Sequence, residues 1–305
     1  MSIYTDLALE ARESLPDIDG VTEEHESTAS CELSRICIRD EDAAKRLGKR
    51  MGNYVTIEPQ KLLERDPAAF LSVTELLQTE LNKLLKPYGE SASVLFCGLG
   101  NRKVTPDSLG PLTSDELLVT RHIIRHMPEA FGFPLRAVAS ICPGVMGSTG
   151  VETLDLIKGV CGRIKPDVII AVDSLAARRA SRIGASIQLT DAGIDPGAGV
   201  GNIRAGINSE TLGVPVIAVG VPLVAYSSTI LYDGISEAAK RFGLPFNEED
   251  VLRFSNEALA RGEADMIVTA KDIDVIVRDM SRIVSEGINR ALFGERYEEI
   301  KSLIK

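Results

Sequence analysis

The 305-residue chain has no tryptophan, three histidines, and no apolar run approaching the roughly 20 residues that cross a bilayer as a helix. A helical membrane anchor is therefore not expected. Nor does the first stretch, 1–13, contain the apolar core of a secretory signal; charged and apolar residues are mixed there. The five cysteines (Cys31, Cys37, Cys97, Cys142 and Cys161) are odd in number and lack C-x-x-C spacing. That argues against a disulfide framework or a zinc site and for reduced thiols in a cytoplasmic protein. Basic charge is in deficit: 34 Lys and Arg against 44 Asp and Glu leave a net charge of -10, the opposite of a nucleic-acid footprint. The P-loop spacing and the Gly-x-Ser-x-Gly elbow of serine hydrolases are absent too. His122 and His126 sit four apart on a helical stretch, but no third ligand accompanies them. No metal and no cofactor is expected.

What is present is an ordinary globular composition, 44% hydrophobic and 26% charged. Short strand-like segments at 35–40 and 54–58 precede a helix opened by Asp66-Pro67, the aspartate as cap and the proline in the first turn. Strand and helix patterns then alternate. Strands are predicted at 94–97, 137–142, 168–172, 186–190 and 214–219, and helices at 107–126 and 151–164. A long helix near the end is striped by Ile273, Ile276, Val277, Met280, Ile283, Val284 and Ile288. This order predicts an α/β fold: a mostly parallel central sheet flanked by helices, with extra short strands and a helical C-terminal part. Residues 7–305 are expected to form a single domain, with 7–60 a loosely packed N-terminal part.

Two aspartates end apolar runs in contexts rich in glycine, proline and serine. Asp107 follows Gly98-Leu99-Gly100-Asn101 and Thr105-Pro106; Asp173 follows 168–172 and precedes Ser174. Ligands of open α/β sheets bind beyond the carboxyl ends of the strands, so both side chains are candidates for one site. Asp107 also suits a plain helix start, with Thr105 as cap. Asp173 must either bond loop amides or face a cleft. The Gly98-x-Gly100 pair lacks the third glycine of a dinucleotide fingerprint, position 103 being lysine. The stretch 184–208 is dense in glycine, which signals unusual backbone or close approach in a loop. Within it Asp191 and Asp195 suit Asx turns. Arg178 and Arg179 could hold a carboxylate or a substrate carbonyl, or cap helix ends.

Taken together, these segments resemble the germination proteases of bacterial spores. Asp6-Leu7-Ala8-Leu9-Glu10-Ala11 is similar to the start of the mature enzymes. The run from Gly98 through Thr105-Pro106-Asp107-Ser108-Leu109-Gly110-Pro111, with Val119-Thr120-Arg121-His122, resembles their first active-site segment. Asp173-Ser174-Leu175-Ala176-Ala177-Arg178 resembles the second, and the stretch from Thr190 to Asn202 their glycine loop.

The resemblance implies an endopeptidase that degrades small acid-soluble spore proteins during germination, in the spore core, as a homotetramer. It implies a fold related to the hydrogenase maturation proteases and an atypical aspartic mechanism whose essential pair falls on Asp107 and Asp173. It also implies a zymogen that trims itself. Residues 1–6 would be the pro-segment and Asp6–Leu7 the processed bond, because Thr5-Asp6-Leu7-Ala8-Leu9-Glu10 is similar to the acidic–apolar–Ala–Glu pattern of the substrates. Two close carboxylates share a proton, which suits acid–base hydrolysis. On glycine content alone, amides around Gly193, Gly197, Gly199 and Gly201 are candidate oxyanion donors. Asn101, Arg178 and Asp191 are candidate supporting residues. Neither nucleic acid nor membrane is expected as a direct partner. Two other readings stay open: a metal-assisted peptidase of the same fold, and a non-catalytic α/β protein whose glycine loop cradles a nucleotide or other small molecule.

Overall fold

The computed structural model describes residues 4–16, 18–60, 62, 64–127, 129, 133–195, 205–245, 247, 250–251, 254 and 266–304. Among them nine strands form one sheet: β1 (Val21–Ser27), β2 (Cys31–Ile38), β3 (Gly52–Pro59), β4 (Val94–Gly98), β5 (Val138–Ile141), β6 (Val168–Ala177), β7 (Ile187–Thr190), β8 (Val216–Tyr226) and β9 (Ile267–Val268). Their order is β1-β2-β3-β7-β8-β6-β4-β5, with β9 added against β8. The block β8-β6-β4-β5 is parallel, as the strand–helix alternation predicts. The short strands ahead of it, with β7, extend the sheet in antiparallel fashion. The link from β6 to β7 covers only 178–186, too short for the crossover that a parallel return requires.

Period-two alternation divides the sheet's side chains between two layers. Val94, Phe96, Val168, Ile170 and Val172 join the core formed with helices Pro67–Leu85 and Ile273–Phe293. On the opposite face Leu95, Cys97, Ile169 and Ala171 pack with Ile157 and Cys161 of helix Thr153–Ile164. The Asp66 cap forms as the sequence suggests, its carboxylate accepting from the Ala68 amide at 2.9 Å. Among the described residues no helix is long and apolar enough to cross a membrane.

Two expectations are corrected. Residues 7–60 are well packed where the sequence suggested looseness: Leu7, Ala8, Leu9, Leu33, Ile36, Ile38 and Ile57 are all buried. The polar residues that suggested looseness lie on edge strand β1, where exposed Glu24, His25 and Glu26 guard the open edge. The helix expected over 107–126 is instead a 3₁₀ turn at Thr105–Asp107 followed by helices Leu109–Glu116 and Arg121–His126. Asn289 of the long C-terminal helix makes the break. It accepts from the Leu118 amide at 2.9 Å and donates to the Glu116 carbonyl at 3.1 Å, so the backbone finds partners outside a helix.

Candidate active site

Strand β6 does not stop before Asp173 but runs through it to Ala177, because β8 pairs alongside as far as Ala177↔Ala225. Asp173 projects on the same face as Ile169 and Ala171, four and two residues earlier. Helix Thr153–Ile164 covers those two, and Asp173 opens into a cleft. Its partner on β8 is Gly220, whose partner on β7 is Gln188. Directly paired residues share a face, so Asp173 and Gln188 project together with no side chain between them. A Cβ on Gly220 would lie 2.5 Å from Leu175, so the bare backbone lets Leu175 lean across.

Asp107 arrives from the other side of β6. The Leu99 amide donates to the Val172 carbonyl at 2.8 Å, tying the loop after β4 beside Asp173. That loop turns back through Gly100, at φ 101°, where a Cβ would stand 2.1 Å from the Asp107 carbonyl oxygen. The Asn101 amide donates to both the carbonyl and the Oδ2 of Asp107, each at 2.8 Å. The Asn101 side chain accepts from the Lys103 amide at 3.0 Å and holds the turn.

Asp173 is 5% exposed. Burial pushes its carboxyl well above the usual carboxylate range, the negative charge of Asp107 pushes it further, and Asp6 adds to both. The Ser174 amide, donating to Asp173 Oδ1 at 2.9 Å, opposes them. Both aspartates line a cleft of about 1520 Å³ that also takes in Asn101, Gln188, Lys49 and Gly193.

The N-terminal segment forms part of the cleft wall through Tyr4, Thr5 and Asp6. The Asp6 amide donates to the Ala176 carbonyl at 2.9 Å, and the Ala176 amide donates to Asp6 Oδ2 at 2.7 Å. Gln188 spans the Asp6–Leu7 bond: its Nε2 donates to the Asp6 carbonyl at 3.2 Å, and its Oε1 accepts from the Ala8 amide at 2.7 Å. Lys49 Nζ donates to the Thr5 carbonyl at 2.7 Å. Burial raises the Asp6 carboxyl, and the Lys49 ammonium is the chief influence against it. Leu7 is fully buried against Leu175, Ala177 and Ile194. Beyond it the buried Glu10 carboxylate accepts from the Arg178 and Arg179 amides at 2.6 and 2.9 Å and pairs with Arg182 at 3.2 Å.

Of the supporting candidates, Asn101 contacts Asp107 through its backbone amide. Arg178 lines the cleft, with its guanidinium bonded to Ser14 Oγ at 2.9 Å and Asp233 at 3.2 Å. Asp191 is not brought to the cleft. Its carboxylate accepts from the Asn53 amide and side chain, each at 2.7 Å, and ties the end of β7 to β3. Gly193 lines the cleft, whereas Gly197, Gly199 and Gly201 lie outside the described residues. Sequence reasoning missed Gln188, Lys49 and Gly220. A signal for Gln188 existed: in Ile187-Gln188-Leu189-Thr190 the apolar members belong to one face and the polar members to the other. Lys49, just after a helix-ending glycine, carried none.

Residues 2–257 match the germination protease family. The germination protease of Caldanaerobacter subterraneus subsp. tengcongensis is 41% identical, the alignment covering 96% of this chain and 94% of the relative. That of Priestia megaterium is 37% identical over 98% and 95%, and that of Clostridium acetobutylicum 36% identical over 95% of each. Among solved structures, a NiFe hydrogenase maturation protease from Thermococcus kodakarensis aligns with 68% of this chain and 97% of its own, at 13% identity and a TM-score of 0.31.

Proposed function

The chain belongs to the germination protease family and is a peptidase; from that premise we propose that it cuts peptide bonds with Asp107 and Asp173 as a proton-sharing pair, first on its own leader. What supports the reading is that Asp6, whose carbonyl accepts from Gln188, lines the same cleft as both carboxylates. Asp173, held above the usual carboxylate range by burial, is the member that keeps the proton. Asp107, whose carboxylate accepts from the Asn101 amide, is the base.

In the reaction, water attacks the scissile carbonyl carbon. Its proton passes to Asp107 while Asp173 protonates the carbonyl oxygen. When the tetrahedral intermediate collapses, the C–N bond breaks. Asp107 returns its proton to the departing nitrogen, and a hydroxyl of the intermediate restores the proton of Asp173. Gly193, which lines the cleft, is the candidate source of an amide donor to the carbonyl oxygen as charge develops on it. Until the bond is cut, residues 4–8 occupy the place another polypeptide would take, and that keeps the zymogen silent. Small acid-soluble spore proteins as substrates, a homotetramer, and the spore core as its place follow from the family resemblance.

The test is incubation of the full chain in a strong chelator, followed by N-terminal sequencing. Wild type is expected to acquire a new terminus at Leu7. Asp107→Asn and Asp173→Asn, checked to be folded, are each expected to lose about 10³-fold or more in processing rate. Substantial processing by both variants removes the aspartate pair. Processing that stops in chelator and returns with a divalent metal replaces it with a metal mechanism.

A further inference from the structure

Cutting the Asp6–Leu7 bond makes a charge that the uncut chain does not carry. The Leu7 nitrogen becomes a primary amine, and an α-amino group of ordinary pKa, about 8, takes a proton from solvent at neutral pH. The residue that bears it is fully buried. Two contacts independent of the leader hold it there: its side chain packs with Leu175, Ala177 and Ile194, and its carbonyl accepts from the Ala11 amide at 3.1 Å. A cation in such a place needs an anionic partner.

One carboxylate lies a single hydroxyl away. The Leu7 amide donates to Thr5 Oγ1 at 3.0 Å, and the same hydroxyl donates to Glu10 Oε2. Glu10 follows Leu7 by three residues, the spacing at which a glutamate side chain reaches back to the nitrogen preceding its helix. Glu10 is 1% exposed, and its other donors are the Arg178 and Arg179 amides and the Arg182 guanidinium. Positive charge is short around it. Arg182 serves Glu10, Glu13 and Glu58 at 3.2, 2.8 and 2.7 Å, and Arg179 shares Glu13 at 3.1 Å, so two guanidiniums face three carboxylates. Lys49 also feels the Glu10 charge, but it is bonded to the Thr5 carbonyl and faces Asp6 and Asp195 as well. When Thr5 leaves with residues 1–6, the buried Glu10 oxygen loses its hydroxyl donor.

We propose that Glu10 receives the ammonium group that processing creates at Leu7, the nitrogen taking the place of the departed Thr5 hydroxyl. The assignment rests on the reading of Asp6–Leu7 as the processed bond. One ion pair then supplies the missing positive charge and restores the lost donor. It also turns the nitrogen toward helix Ala8–Ser14 and away from the position of the cut bond, so the new terminus ends as cleft wall and does not compete for the two aspartates. Glu10 is thus a positioning residue of the processed form and takes no part in the cut.

Trace acetylation tests it. The full chain is left to process itself, then labelled with acetic anhydride between about pH 6 and 10, with the synthetic peptide Leu-Ala-Leu-Glu in the same tube as reference. Mass spectrometry reads the labelling rate of each α-amine, which follows its neutral fraction. In wild type the Leu7 amine is expected to label about 10-fold or more slowly than the peptide at neutral pH, with its midpoint raised by about one unit or more. Glu10→Gln should bring the midpoint to that of the peptide or below it. Glu13→Gln, which alters the same Arg182 cluster without touching the Leu7 nitrogen, should keep it raised. Burial without a carboxylate partner lowers the midpoint, and release into water leaves it unshifted, so either result in wild type overturns the pairing. A midpoint still raised in Glu10→Gln also overturns it. If Glu10→Gln does not process itself, the wild-type profile decides alone. A wild-type chain that never acquires a terminus at Leu7 fails at the processing reading instead, before any amine is labelled.

Discussion

Asp107 and Asp173 reach one cleft by opposite structural means. Asp107 sits on a 3₁₀ turn, half-buried, held by the hydrogen-bonded loop that closes from Asn101 to Asp107. Asp173 sits in the middle of a ten-residue strand between two parallel neighbours, with almost no surface of its own. The turn supplies position, and local backbone geometry can disturb it. The strand supplies burial, and its hydrogen-bond ladder makes the position hard to shift. Two carboxylates placed this way are asymmetric, as the proposed division into acid and base requires.

The comparison can be broken first at the turn. Gly100→Ala places a methyl group against the Asp107 carbonyl and demands a positive φ from a residue that resists it. Turnover should fall about 100-fold through misplacement of the carboxylate, and stability by roughly 1–3 kcal/mol. Peptide kinetics and thermal unfolding measure the two. Full activity in this variant would mean that the turn does not position Asp107.

The strand side is probed by pH. The Asp173 carboxyl is raised in the fold, so the folded protein keeps a proton that the unfolded chain releases. The penalty from this group is absent below the unfolded carboxylate range and grows as pH rises toward the raised value. Asp173→Asn, which cannot ionise, should therefore be more stable than wild type at neutral pH by roughly 1–3 kcal/mol. The gap should close as pH falls below about 4. Denaturant melts across that window decide it, and a pH-independent gap would show that Asp173 is not the proton holder.

The smallest effect is expected at Asn101. Its grip on Asp107 comes from the backbone amide, while its side chain accepts from the Lys103 amide. Asn101→Ala should cost about 0.5–1.5 kcal/mol and leave kcat within a few fold. A loss as large as that of Gly100→Ala would give the asparagine side chain a direct part in the chemistry.

Much of this arrangement is legible in the linear chain, and the illegible part has a common cause. The unbroken apolar run 168–172 reveals β6, and Asp66-Pro67 reveals the start of its helix, because both signals are local. The break within 107–126 was invisible because Asn289, 171 residues from the amide it accepts, makes it. The packing of 7–60 was invisible for the same reason. Leu7 and Ala8 are secured by Leu175 and Gln188, on strands that lie far along the chain. Asp191 misled because an aspartate in a glycine-rich stretch reads alike whether it faces a cleft or ties two strands, as it does through Asn53.

By itself the sequence determined the strand-and-helix alternation, the two carboxylates at the ends of apolar runs, and the acidic–apolar pair Asp6–Leu7. These follow from side-chain periodicity and backbone preference over a few neighbouring residues. Which groups meet was decided by the tertiary structure alone. Register across β6, β8 and β7 sets Asp173, Gly220 and Gln188 in one row, and the tie from Leu99 to Val172 brings Asp107 beside it. Interstrand register depends on pairing between distant segments, and no stretch of chain contains that information within itself.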